Sequence, residues 1–184
     1  MPAAMKHSTR SISGFSLLEL IVVISMMAVL TGVIVPRLNF GGEKEQIKKE
    51  TLRLAELMNR ATEESIFKTR QIGIRFTDDD YQFLALDGDG REGKWVAYES
   101  KTFRTREWPD NFDVEVEISG VAIELESSEA FKIDEKTRPH VMFLSNGEVM
   151  PDFKVIVEKG LNDERWQVAT GVEELITFGK ADDF

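Results

Sequence analysis

Cysteine is absent from the 184 residues, and histidine occurs twice, at His7 and His140. Without thiols there is no disulfide staple and no thiolate nucleophile, so packing and hydrogen bonds alone must hold the fold. That absence permits an oxidising compartment without requiring one. Two histidines are too few for a histidine-rich metal site, and a lone His140 beside Pro139 reads as a strand-edge residue. Basic residues are scarce too: 23 Lys and Arg stand against 33 Asp and Glu, a formal net charge of −10. Such a surface repels phosphate backbones and anionic lipid heads, which argues against a nucleic-acid partner. There is no phosphate-cradling nucleotide loop, and among the many carboxylates no two are singled out for acid–base work. The sequence points away from an enzyme.

What the chain does have is one long apolar run near its start. From Phe15 to Pro36 there are 22 residues and a single charge, Glu19. As a helix this run is about 33 Å long, enough for a hydrocarbon core of ~30 Å. A carboxylate in such a helix costs roughly 2.5–3.5 kcal/mol at the bilayer centre and less towards an interface, so it needs a counter-charge. Lys6 and Arg10 precede the span and place the leader in the cytoplasm, with the long following domain on the other side. A secretory signal peptide fits poorly. Its apolar region spans roughly 7–15 residues, and Val33-Ile34-Val35-Pro36-Arg37 is no small-residue cleavage site. A plain signal anchor fits the length but explains neither Glu19 nor the Gly14–Phe15 junction. Gly32 and Pro36 lie inside the helical pattern, where the missing proline N–H predicts a kink or local unwinding.

Gly14, Phe15 and Glu19 together resemble the class III signal of type IV pilins and type II secretion pseudopilins: Gly, then Phe, then an apolar helix with Glu at its fifth residue. The basic leader ending Ser11-Ile12-Ser13-Gly14 is similar to theirs. The resemblance implies cleavage after Gly14 by a prepilin peptidase, N-methylation of Phe15, and retention of the apolar segment in the mature chain. Losing the leader removes two of the 23 basic residues and no acid, which takes the charge from −10 to −12. It also implies a counter-charge for Glu19, the new amine of Phe15 on a neighbouring subunit. A pair buried in a packed core favours one register, because an unpaired member is strongly penalised. The implied partners are other major and minor pseudopilins, the prepilin peptidase, the inner membrane and its assembly platform. The implied setting is the inner membrane of a Gram-negative bacterium, with a periplasmic domain carried into a pseudopilus.

Beyond the span the pattern changes. From Glu43 to Lys68, Ile47, Thr51, Leu54, Met58, Ala61 and Ser65 recur at spacings of four and three, which predicts an amphipathic helix packing on a sheet. After Thr69 the period becomes two. Strands are expected at 71–76 and 81–86, joined by Thr77-Asp78-Asp79-Asp80, then at 94–99, 103–107, 113–118, 121–126, 140–144, 153–159, 166–170 and 174–178. Trp95, Trp108 and Trp166 read as core. The expected class is α+β: a long N-terminal helix, transmembrane and then amphipathic, packed on an antiparallel sandwich or two-sheet domain. The expected segments are 1–14 (leader), 15–36 (membrane span), 37–69 (amphipathic continuation) and 70–184 (β domain).

The run Met142-Phe143-Leu144-Ser145-Asn146-Gly147-Glu148, the strand from Phe153 to Val157, Trp166-Gln167-Val168-Ala169 and Gly171 resemble the closing segment of H-type minor pseudopilins. FimT-like minor pilins of type IV pili share it in outline. Those pilins often carry basic residues near the C-terminal end when they take part in DNA uptake. Here the residues are Gly171-Val172-Glu173-Glu174 and Asp182-Asp183-Phe184. That departure favours secretion, with a type IV pilus subunit or a membrane-anchored periplasmic binding module as the alternatives. Asp87-Gly88-Asp89-Gly90 has the acids and glycines of a calcium loop, and some pseudopilins bind calcium. An EF-hand needs a bidentate Glu at its twelfth position, however, and counting from Asp87 that residue is Tyr98. An acidic loop is expected there, with Asp87 and Asp89 as the calcium candidates. No other metal and no cofactor is expected.

Overall fold

Two periodicities build this fold, and the helical one comes first. The computed structural model describes residues 17–34, 43–88, 93–98, 100–159, 164–171 and 176–181. Residues 1–40 and 41–184 form separate units. The first contributes helix α1, Leu17–Ile34.

The second unit opens with α2, Glu43–Lys68. Ile47, Thr51, Leu54, Ala55, Leu57, Met58, Ala61 and Ser65 form its buried stripe, as the spacing predicts. Two members of that stripe are polar, and each must find an acceptor. Thr51 Oγ1 donates to the Ile47 carbonyl at 2.8 Å, and Ser65 Oγ reaches the Thr62 carbonyl at 2.7 Å. Hydroxyls turned back onto their own helix can therefore sit in an apolar seam. Lys68 lies in the last turn, where a cation favours the helix dipole.

Eleven strands among the described residues form two antiparallel sheets. The first joins β1 (Ile72–Phe76), β2 (Asp80–Asp87), β3 (Lys94–Ala97), β7 (Val141–Phe143) and β8 (Val149–Met150) in the order β3-β2-β1-β7-β8. Strand β4 (Arg106–Glu107) pairs with the start of β2. The second sheet runs β11 (Ile176–Lys180), β10 (Trp166–Thr170), β9 (Phe153–Lys159), β5 (Phe112–Ile118), β6 (Val121–Ile123). The Phe76↔Tyr81 pair closes the β1–β2 hairpin, and the Thr77 N–H donates to the Asp80 carbonyl at 2.8 Å.

Helix α2 packs on β9, β10 and β11 of one sheet and on β1 and β7 of the other. One apolar cluster therefore contains Leu54 and Met58 from the helix, Ile74, Phe83 and Phe143 from the first sheet, and Val116, Val155 and Val168 from the second. Each such side chain contributes on the order of 1.5–3 kcal/mol when removed from water. Trp95, Trp108 and Trp166 are buried, as expected of core residues.

Strand limits depart from the expected ones where core contacts override alternation. The 103–107 strand shrinks to Arg106–Glu107 because Phe103 turns inward, 1 % exposed, its N–H donating to Ser100 Oγ at 3.0 Å. The 121–126 strand stops at Ile123, although Leu125 still packs on the core. Strand β8 is an addition: two residues after the Ser145-Asn146-Gly147 turn are too few to show a period.

Candidate functional site: the amino-terminal helix

Glu19 lies in the first turn of α1, where unpaired backbone N–H groups favour a carboxylate. Around it the helix is apolar on every side. Leu17, Leu18, Leu20 to Ile24, Met26 and Met27 are all exposed, from 43 % at Val22 to 77 % at Leu17. Consecutive exposed apolar positions cover the whole circumference, unlike the one-sided stripe of α2, and such a helix is built for surroundings other than water. Ser25 is accommodated by donating to the Ile21 carbonyl at 2.8 Å. Among the described residues no helix is long and apolar enough to cross a membrane. The 18 residues of α1 rise about 27 Å, while the apolar run in sequence continues beyond both of its ends.

The motif is only partly within view. Gly14, Phe15 and Pro36 lie outside the described residues, and Gly32 sits inside α1. Asp87 is exposed at the end of β2, followed by Gly88 at φ 94°, and Asp89 lies outside the described residues. Among the described residues no three acidic or histidine side chains gather as they would around a metal. Glu19 belongs to the first unit and Asp87 to the second.

His140 is structural. Its Nδ1 accepts the Phe76 N–H at 3.2 Å, and its ring stacks on Phe76 at 6.1 Å. Burial, with help from the Arg75 guanidinium, pushes it down to about 4, so at neutral pH it is an uncharged acceptor.

A surface not singled out from sequence lies between β3 and β4: a groove of about 500 Å³ bordered by Tyr98, Lys101, Arg104 and Thr105 over the buried rings of Phe83 and Phe103. The visible signal was Lys101-Thr102-Phe103-Arg104-Thr105-Arg106, a basic run in an acidic chain.

No family model matches the chain. It is 30 % identical over 153 residues to the type II secretion system protein H of Pseudomonas aeruginosa, covering 82 % of this chain and 86 % of the relative. This chain belongs to the type II secretion protein H family. The Aeromonas hydrophila protein H is also 30 % identical, over 145 residues, covering 76 % of this chain and 77 % of the relative.

The fold of this H-type minor pseudopilin is that of its solved counterparts. The crystal structure of the minor pseudopilin EpsH from the type II secretion system of Vibrio cholerae superposes with a TM-score of 0.61 at 21 % identity, covering 75 % of this chain and 98 % of that one. A second EpsH structure gives 0.59 at 18 % identity, over 73 % and 97 % of the two chains. The solution structure of Escherichia coli GspH gives 0.55 at 13 % identity, over 79 % and 96 %. The choice between secretion and a type IV pilus, open in the motif alone, falls to secretion through the named relatives.

Proposed function

We propose that the chain is a structural subunit of a periplasmic pseudopilus that helps folded proteins leave through the outer membrane, and that it performs no catalysis. Membership of the protein H family carries this reading. The Gly14-Phe15 junction followed by Glu19 supplies its mechanism. A prepilin peptidase cuts after Gly14 at the cytoplasmic face, and the new terminus at Phe15 is methylated. The apolar run from Phe15 to Pro36 then anchors the protein in the inner membrane, with the β unit in the periplasm.

On assembly, the α1 helix leaves lipid for a bundle of equivalent helices from other pseudopilins. Its all-round apolar surface suits both surroundings. Van der Waals packing is non-directional, so charge must choose the register. Glu19 meeting the Phe15 amine of a neighbour does so, because a one-turn slip would leave two charges unsatisfied in a low-dielectric core. The inner-membrane assembly platform supplies the motion.

The decisive measurement is the mass of the N-terminal peptide of protein extracted from membranes. The expected product begins at N-methyl-Phe15. A chain that retains residues 1–14, or that starts beyond the apolar run, would overturn this reading.

A further inference from the structure

The Ser145-Asn146-Gly147 turn between β7 and β8 brings a chemically reactive pair of residues to the surface. Of the asparagines in the chain, Asn146 alone is followed by glycine; Phe40, Arg60, Phe112 and Asp163 follow Asn39, Asn59, Asn111 and Asn162. A backbone nitrogen can close on the carboxamide carbon of the asparagine before it, and a side chain on the following residue crowds that approach. Glycine, without a Cβ, leaves the approach open and lets the chain turn into it. Ser145 and Asn146 are exposed, so water reaches the carboxamide.

The folded turn keeps these atoms from reacting. The Gly147 N–H donates to the Leu144 carbonyl at 2.9 Å, and the Leu144 N–H donates to the Glu148 carbonyl at 2.8 Å. Asn146 Oδ1 accepts the Glu148 N–H at 3.0 Å, while Asn146 Nδ2 donates to Glu148 Oε2 at 3.1 Å. Gly147 sits at φ 91°, a left-handed conformation natural to glycine. The Leu144 carbonyl is also held from α2, since the Ser65 hydroxyl lies 2.9 Å from it. The proton that the nitrogen must lose is thus committed to the turn, and the turn is tied to the helix.

We propose that Asn146 is a site of spontaneous deamidation through a succinimide, gated by opening of this turn from α2. In the open turn, hydroxide takes the Gly147 amide proton and the nitrogen bonds to Asn146 Cγ. The Cγ–Nδ2 bond breaks, and Nδ2 leaves as ammonia with a proton from water, which restores the hydroxide. Water then opens the ring. Cleavage between the Gly147 nitrogen and Cγ leaves aspartate, whereas cleavage between that nitrogen and the Asn146 main-chain carbonyl carbon leaves isoaspartate. Water enters and ammonia leaves; nothing is oxidised or reduced.

The two products act differently on the seat of α2. Aspartate still accepts the Glu148 N–H, but it replaces the Nδ2 donor with a second carboxylate beside Glu148. Isoaspartate adds one carbon to the main chain next to Gly147, where even a Cβ would stand 3.3 Å from Ile66 Cδ1. Either product loosens the turn.

The test incubates the purified full-length protein in detergent at mildly alkaline pH and follows each asparagine by peptide mass. The expected result is a first mass gain, that of an amide exchanged for an acid, on the peptide holding Asn146. Part of that peptide should be a substrate for isoaspartyl methyltransferase. In urea the gain should come faster, because reaction from a rapidly closing open state follows the population of that state. Ser65→Ala should speed the folded protein about fivefold, the population change expected from one buried hydrogen bond. A native circular dichroism spectrum checks that this variant is folded.

A first gain at Asn39, Asn59, Asn111 or Asn162 would overturn the site, as would no gain anywhere. Folded protein that stays unmodified at Asn146 while the urea-unfolded chain converts would overturn the opening of the turn. Equal rates in folded and unfolded protein would overturn the gate. A Ser65→Ala rate equal to that of wild type would overturn control from α2.

Discussion

Ser65 and Leu144 are 79 residues apart in sequence, yet the Ser65 hydroxyl lies 2.9 Å from the Leu144 carbonyl. Ser65 is fully buried near the end of α2, and Leu144 follows β7. The same turn brings Gly147, at φ 91°, beneath Ile66; a Cβ added there would stand 3.3 Å from the Ile66 Cδ1. One helical turn is thus seated on one strand connection by a hydrogen bond, with room at Gly147 for little more than a hydrogen. Seating of this kind fixes how α2 lies on the sheets, which packing alone does not specify.

Ser65→Ala should lower stability by about 1 kcal/mol, the net worth of one buried hydrogen bond. The cost stays small because the Leu144 carbonyl keeps the Gly147 N–H at 2.9 Å. Urea unfolding followed by tryptophan fluorescence measures it. A loss above about 3 kcal/mol would mean that the hydroxyl does more than seat the helix.

Gly73→Ala should be more damaging. The added Cβ would fall 2.4 Å from the Pro139 Cβ and 3.1 Å from the Trp95 ring, closer than contact allows. Neither neighbour is a flexible side-chain end, and β1 is held by β2 and β7 on its two sides. Overpacking here should cost about 1–3 kcal/mol, visible as a lowered thermal midpoint. A midpoint equal to that of wild type would show that Pro139 yields.

His140 gives the fold a pH dependence of known sign. Its folded value of about 4 lies below the ordinary histidine value of 6.5, so the unfolded chain binds more protons between those limits. Its contribution is therefore present above about pH 6.5 and is lost as pH falls towards 4. Discounted for partial solvent exposure, the loss is on the order of 2 kcal/mol. His140→Asn, which keeps an acceptor for the Phe76 N–H, should flatten the stability slope between those pH values. An unchanged slope would assign the pH dependence to carboxylates instead.

Glu19→Ala should leave the second unit folded and the protein in the membrane fraction, since Glu19 belongs to the separate first unit. Breaking a buried pair costs on the order of 3 kcal/mol, so incorporation into sheared filaments should fall more than about tenfold. Immunoblotting of filament and membrane fractions checks both halves. Normal incorporation and normal secretion in this variant would remove the pairing with Phe15.

The α2 stripe was legible because Ile47, Leu54, Met58 and Ala61 repeat at helical spacing, and helices form from local contacts. The long strands β5 and β9 were legible for the same reason, since alternation is written in each residue and its next neighbour. Phe103 misled: its apolar character suits a strand, but its ring reaches Phe83 from a turn. Strand β8 was invisible at two residues. The groove also escaped notice, because Gln82 and Phe83 of β2 come to border the Ser100–Thr105 connection only once the sheet is folded.

By itself the sequence determined the class of this protein. A helix without a polar side, a single acid at its fifth position and a preceding Gly–Phe junction are facts about neighbouring residues, and no folding is needed to place them. The tertiary structure decided which strands share a sheet, what lies against Gly73 and why His140 stays neutral. Each of these depends on residues far apart in the chain meeting in space, and burial and charge act through that distance rather than through position in sequence.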